Sequence, residues 1–138
     1  MKKSTKFSDI LHILLHMAQS KEPRTSETLA KAMQTNPVVV RRIMAALREK
    51  GFVISEKGHG GGWQLSCDVK KVSLYDIYTM IGSPAFFAMG NRTDSPLCRI
   101  ESAVNKVTLS AFLEAENTLL KRFRHITLAE LSSHRKSK

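Results

Sequence analysis

Carboxylates are scarce in this chain. Its 138 residues hold 12 Asp and Glu against 22 Lys and Arg, a formal charge of +10. Such a balance draws polyanions and favours fast, salt-sensitive association with nucleic acid. The same charge would be drawn to an anionic membrane surface, but no apolar run approaches the roughly 20 residues that span a bilayer. Cysteine is nearly absent: Cys67 and Cys98 make no disulfide framework, which fits a reducing cytoplasm. Aromatic residues are few, at 7% of the chain, while the hydrophobic fraction is 42%, so a core would be packed by aliphatic side chains and Met. The five histidines are scattered, and neither a Ser/His/Asp arrangement nor a pair of carboxylates stands out, which argues against an enzyme. There is no internal repeat. The N-terminus, MKKSTKFSDILHILLHMAQ, places basic residues before apolar ones as an export signal does. Asp9, His12 and His16 interrupt it, however, and Ile10, Ile13, Leu14 and Met17 keep helical spacing, so it reads as an amphipathic helix.

What the chain does have is concentrated between Asn36 and Leu65. Asn36 suits a helix N-cap and Pro37 its first turn. Val40, Ile43, Met44 and Leu47 fall on one face, with Arg41, Arg42, Arg48 and Lys50 off it. Gly51 ends the helix. Phe52-Val53-Ile54 starts a strand, Trp63-Gln64-Leu65 ends a second, and the glycine-rich segment between them must turn back sharply. Upstream, Thr25 reads as the N-cap of a short helix carrying Leu29, Ala30 and Met33, and Gln34-Thr35-Asn36 as a tight turn. A short helix, a tight turn, a basic helix and a hairpin make a winged helix-turn-helix. The expected fold is mainly α with a small two-stranded β wing.

The docking expected of that plan assigns roles. Val38, Arg41 and Arg42, in the first turns of the basic helix, would face base edges, either arginine being able to grip a guanine and Val38 to touch a thymine methyl. Ser26, Lys31 and Lys57 would hold phosphates. His59, between Gly58 and Gly60 at the wing tip, would meet a minor groove. The Gly60-Gly61-Gly62 run is a loop and not a nucleotide cradle, because a strand and not a helix follows it. His12 and His16 have metal-compatible spacing but no cysteine partner near them in sequence, so no metal or cofactor is expected.

Beyond the wing, Ser73 and Asp76 have capping-box spacing for a short helix with Leu74, Ile77, Tyr78 and Ile81 on its apolar face. Residues 83–95 form an irregular loop whose Phe86, Phe87 and Met89 either pack on the core or line an effector pocket or dimer surface. Ser95 and Pro96 then read as the start of a long helix reaching to about Arg124. Ile100, Val104, Val107, Ala111 and Leu119 make one stripe along it, and Leu109, Phe112, Leu113, Leu120 and Phe123 make another. A helix apolar on two faces needs two partners, one of them plausibly the same helix of a second copy. Residues 126–131 make a short last helix capped by Thr127, and the tail beyond 134 stays outside the fold. The organisation expected is therefore a DNA-binding domain over 1–82, a loop and candidate effector region over 83–95, a dimerisation helix with a short C-terminal helix over 96–134, and a tail over 135–138.

With PVVVRRIMAALREKGFV, SEKGHGGGWQLS, VSLYDIY and HITLAEL in place, the chain resembles the Rrf-two family of bacterial winged-helix transcription regulators. The resemblance covers nearly the whole chain. It implies a homodimer joined through the long helix and binding double-stranded operator DNA. It also implies a departure: members that hold an iron–sulfur cluster carry three cysteines between the fourth helix and the long helix, whereas here only Cys98 lies there. The chain looks most like the cluster-less branch. Cys98, at the start of a helix and beside Arg99, is a candidate redox thiol; the plainer reading is a packed cysteine. The function expected is a sequence-specific transcriptional regulator, a repressor binding a pseudo-palindromic operator as a homodimer, with a small-molecule or redox effector still to be found. The alternative is a winged-helix protein–protein adaptor, which would have no need of Arg41, Arg42, Lys57 and so large a positive charge.

Overall fold

The apolar stripe read in the first helix is where the core begins. In a computed structural model, which describes residues 5–57, 62–87, 89–93 and 95–134, helix α1 (Lys6–Ala18) buries Ile10, Ile13, Leu14 and Met17 on one face. Helix α2 (Ser26–Met33) adds Leu29 and Ala30, and α3 (Pro37–Glu49) adds Val40, Met44 and Leu47. These side chains form one continuous cluster with Val53, Val72, Ile77 and Leu128.

The helix starts follow from their caps. Thr25 Oγ1 accepts from the Thr28 N–H and Asn36 Oδ1 from the Val39 N–H, each at 3.1 Å. The turn between α2 and α3 is closed by Gln34 in the left-handed region, at φ 55°. This makes the two helices a tight pair.

The wing is an antiparallel hairpin of β1 (Val53–Glu56) and β2 (Gly62–Leu65), in which Val53 faces Leu65 and Glu56 faces Gly62. A further pairing anchors it: the Arg24 N–H donates to the Trp63 carbonyl at 2.9 Å, and the Trp63 N–H donates back at 2.7 Å. Gly62 makes this approach feasible. Its φ is +150°, and a Cβ there would stand 2.6 Å from the Arg24 carbonyl oxygen. The base of the wing is thus tied to the residues that lead into α2.

Helix α4 (Leu74–Met80) starts with the capping box expected of Ser73 and Asp76: the Asp76 N–H donates to Ser73 Oγ at 3.2 Å, and the Ser73 N–H to Asp76 Oδ2 at 2.9 Å. The last helix, α6 (Leu128–His134), corrects the grouping expected from sequence. Its Leu128 is buried in the core of the N-terminal domain. The chain just before it is stitched to the start of α4, with Leu74 N–H donating to the Ile126 carbonyl at 2.9 Å and Leu128 N–H to the Val72 carbonyl at 3.0 Å. Residues 126–134 therefore pack with the winged-helix core, as the separate short helix expected from sequence.

That long helix, α5 (Arg99–Arg124), begins later than Ser95-Pro96 suggests. The Ser95 N–H is taken by Thr93 Oγ1 at 3.2 Å, a local turn that competes with helix entry, and Cys98 becomes the N-cap. The far end of α5 is pinned by aromatic contacts: Phe123 stacks on Phe7 with ring centroids 5.4 Å apart, and the Arg124 guanidinium lies 4.3 Å from the Tyr75 ring centroid. Phe86 stacks on Tyr78 and Phe87 on Phe112, so both loop phenylalanines pack against helices, while Met89 stays exposed. Among the described residues, no helix is long and apolar enough to cross a membrane.

Candidate nucleic-acid interface

Helix α3 presents to solvent the residues that its buried face leaves over. Val38, Arg41 and Arg42 are all exposed near its N-terminus, while Val40 between them is buried. The two arginines diverge, because successive residues turn about 100° around a helix. Arg41 reaches α2: its Nη2 donates to Glu27 Oε1 at 2.6 Å, and the two side chains are 54% and 59% exposed. Arg42 lies instead at the rim of a small cavity of about 460 Å³ shared with Lys6, Asp9 and Met80.

Lys31, in the last turn of α2, and Lys57, after β1, are both exposed. Ser26 is placed differently. It is only 7% exposed, and its Oγ accepts the indole Nε1–H of Trp63 at 3.0 Å. It lies inside the junction between wing and α2, where the expected phosphate contact has no open side chain to use. His59 and its neighbouring glycines lie outside the described residues.

Two positional residues escaped the sequence. Trp63 joins the wing to α2 through Ser26 and through the backbone of Arg24, and it also carries the Arg48 guanidinium 5.6 Å from its ring centroid. Glu27 meets Arg41 across 14 residues of sequence, a separation at which no local pattern signals contact.

A second feature lies along α5. Residues 89–93 and 95–98 and the first half of α5 enclose a groove of about 1010 Å³, lined among others by Met89, Arg92, Cys98, Glu101, Val104 and Phe112. Asn105 Nδ2 holds the loop to the helix by donating to the Thr93 carbonyl at 2.8 Å. Glu101 Oε1 is shielded from solvent and has no hydrogen-bond partner among the described residues. Cys98 is fully exposed, and the backbone N–H groups of Glu101 and Ile100 favour its thiolate and lower its pKa, although no side-chain cap bond is closed. Cys67, half-buried after β2, has its pKa raised, chiefly by burial. His12 and His16 pack ring against ring at 4.6 Å on α1.

A winged helix-turn-helix with exposed arginines on its second helix defines a class of DNA-binding transcription regulators. Comparison with known proteins narrows the class. Residues 3–134 match the Rrf2 family, described as "Iron-dependent Transcriptional regulator", and the chain belongs to that family of regulators, which are not enzymes. It is 26% identical over 136 residues to YffB of Lactococcus lactis subsp. lactis, whose name assigns it provisionally to the HTH-type transcriptional regulators; the alignment covers 96% of this chain and 87% of YffB. YwnA of Bacillus subtilis, named in the same way, is 23% identical, with 90% of this chain and 92% of YwnA covered. Among solved structures, IscR of T. potens superposes with a TM-score of 0.74 at 22% identity, over 98% of this chain and 88% of that one. CymR, the global cysteine regulator of B. subtilis, gives 0.74 at 19% identity, over 97% and 98%. At such identities the two structures establish the shared fold alone.

The family description names iron, and the donors here do not fit an iron–sulfur cluster. Such a cluster is held by about four ligands, mostly thiolates. Cys98 is the sole thiol near the groove, Cys67 lies on another element, and no group of three or more His, Cys, Asp or Glu is placed to hold a metal ion among the described residues.

Proposed function

We propose that the protein is a cytoplasmic homodimeric repressor that binds a pseudo-palindromic operator through α3 and its wing. The observation that carries this reading is the state of α5. None of its residues is buried, and along one stripe it displays Ile100 at 76%, Val107 at 68% and Val104 at 52% exposure, with Ala111 also exposed and Leu119 half-buried. A helix of 26 residues draws its stability mainly from packing, and a contiguous apolar surface of this kind marks an association site. The same stripe on a second copy is self-complementary, as a two-fold contact requires. Two copies carry two α3 helices, and the operator would repeat its half-site with the symmetry of the dimer.

Repression follows from occupancy: a dimer on its operator excludes other proteins from that DNA. Control follows from the groove, which shares Ile100 and Val104 with the dimer stripe. A molecule lodged there touches the surface on which dimer geometry depends, and it would shift the population between arrangements that fit the operator and arrangements that do not. Cys98 opens onto the same groove, which makes a thiol-reactive signal one form such control would take.

Binding to a pool of genomic fragments across a salt series, with sequencing of what stays bound, tests the reading. One enriched pseudo-palindrome surviving at physiological salt is expected. Uniform, salt-labile retention would mean that net charge alone is acting and would favour the adaptor function instead.

A further inference from the structure

Arg41 and Arg42 are neighbours of the same type on the same helix, yet they are held differently. Arg42 makes no hydrogen bond or ion pair among the described residues, whereas Arg41 Nη2 is fixed 2.6 Å from Glu27 Oε1. Glu27 is itself well placed. It stands in the first turn of α2, where the helix dipole favours a carboxylate, and α2 is locked to α3 through Leu29, Ala30, Val40 and Met44 in the common core. Both partners are more than half exposed, so the pair adds little to stability. What it does is order a long cationic side chain next to the expected base-reading surface. A guanidinium has five N–H donors in a rigid fork, and Glu27 occupies only the Nη2 end, leaving Nε and Nη1 without a partner among the described residues.

We propose that Glu27 is a specificity-determining residue: by holding Arg41 Nη2 it fixes the pose in which Arg41 meets a guanine, so that base discrimination by α3 depends on a carboxylate in α2. This rests on the operator-binding reading above. It also separates the two arginines, making Arg41 the reader of a base and Arg42 a contact to phosphate. The carboxylate opposes DNA by its charge while sharpening the choice of sequence, so its removal should loosen discrimination without weakening binding to random DNA. A residue that merely supported the fold would not give that split.

The test uses the full chain with the operator that the wild type selects. Wild type, Glu27→Gln, Arg41→Ala, Arg42→Ala and the Glu27→Gln/Arg41→Ala double variant are titrated against half-sites with each base pair replaced in turn, and against random-sequence DNA. Glu27→Gln keeps the size of the side chain and protects the fold. Glu27→Gln and Arg41→Ala are expected to relax the same base pair, by about tenfold, with the double variant no worse than either and with Glu27→Gln binding random DNA at least as tightly as wild type. Arg42→Ala should weaken binding to all sequences alike and reduce the salt slope by about one. If Arg41→Ala relaxes a base pair and Glu27→Gln keeps every preference, the role of Glu27 is overturned while operator reading stands. If Arg41→Ala relaxes nothing, Arg41 is not the reader and the proposal fails. A wild type that selects no operator would overturn the functional reading itself.

Discussion

The winged-helix core and α5 are built to different standards of completeness. In the core, every stripe finds its partner within the chain: Ile13, Leu14, Leu29, Val40, Met44, Leu47, Ile77 and Leu128 are all buried, and α6 returns from the far side of α5 to fill the last place. In α5, the longest helix among the described residues, nothing is buried. The two regions obey the same rule, that an apolar helical face must be covered. One satisfies it within the chain, and the other does not. On the reading proposed above, stability resides in the core, while assembly and control fall to α5.

The largest effects should come from damaging the finished side. Leu47→Ala empties a fully enclosed site and is expected to cost about 2–5 kcal/mol. Urea unfolding at several protein concentrations would separate this from Val107→Ala, whose smaller loss should fade as the protein is diluted toward single chains, because it acts on association. Equal, concentration-independent losses would erase the contrast between the regions.

Gly62→Ala comes next. The added Cβ would meet the Arg24 carbonyl at 2.6 Å, so the wing must shift, at about 1–3 kcal/mol, and the Trp63–Ser26 hydrogen bond is strained with it. Indole fluorescence of Trp63, the one tryptophan, reports the shift directly. An unchanged spectrum and an unchanged melting temperature would show that the wing is not held at this point.

Much of the finished side was legible beforehand. The stripe of α1, the caps at Thr25 and Asn36 and the Ser73–Asp76 box are local patterns, and local hydrogen bonds realise them. What was hidden depended on residues far apart. Ser95-Pro96 has the look of a helix start, but Thr93 captures the Ser95 N–H. Leu128 looks like part of a terminal helix of its own, and only the backbone bonds from Leu128 to Val72 and from Leu74 to Ile126 bring it into the core. Ser26 has the composition of a phosphate ligand, yet Trp63 claims its hydroxyl across 37 residues. The site shares this mixture: the basic face of α3 is visible as spacing, whereas the pairing of Arg41 with Glu27 is a fact of tertiary structure.

The smallest expected effect on stability concerns the thiols, and it distinguishes the regions by chemistry. Cys98 ionises below the ordinary thiol range because the Glu101 and Ile100 N–H groups favour its thiolate, while burial pushes Cys67 up. A thiol whose pKa falls on folding stabilises above its unfolded pKa and loses that contribution as pH falls through the folded value. For Cys98 full exposure screens the gain, so the melting temperature should not follow its titration. Reactivity should: as pH rises, iodoacetamide modifies Cys98 first and Cys67 only at higher pH, read by peptide mass spectrometry. The reverse order would place the reactive thiol in the core and not on the groove.

The most direct measurement of the central claim is the molar mass of the protein in solution, by light scattering on a size-exclusion column, for wild type and for Val107→Glu. The wild type should have twice the 15.5 kDa of one chain. Val107→Glu, which places a charge in the middle of the exposed stripe, should give the mass of a single folded chain and lose operator binding while its core stays intact. A wild type that runs as one chain, or a variant that stays paired, would contradict the assignment of α5 as the surface on which two copies join.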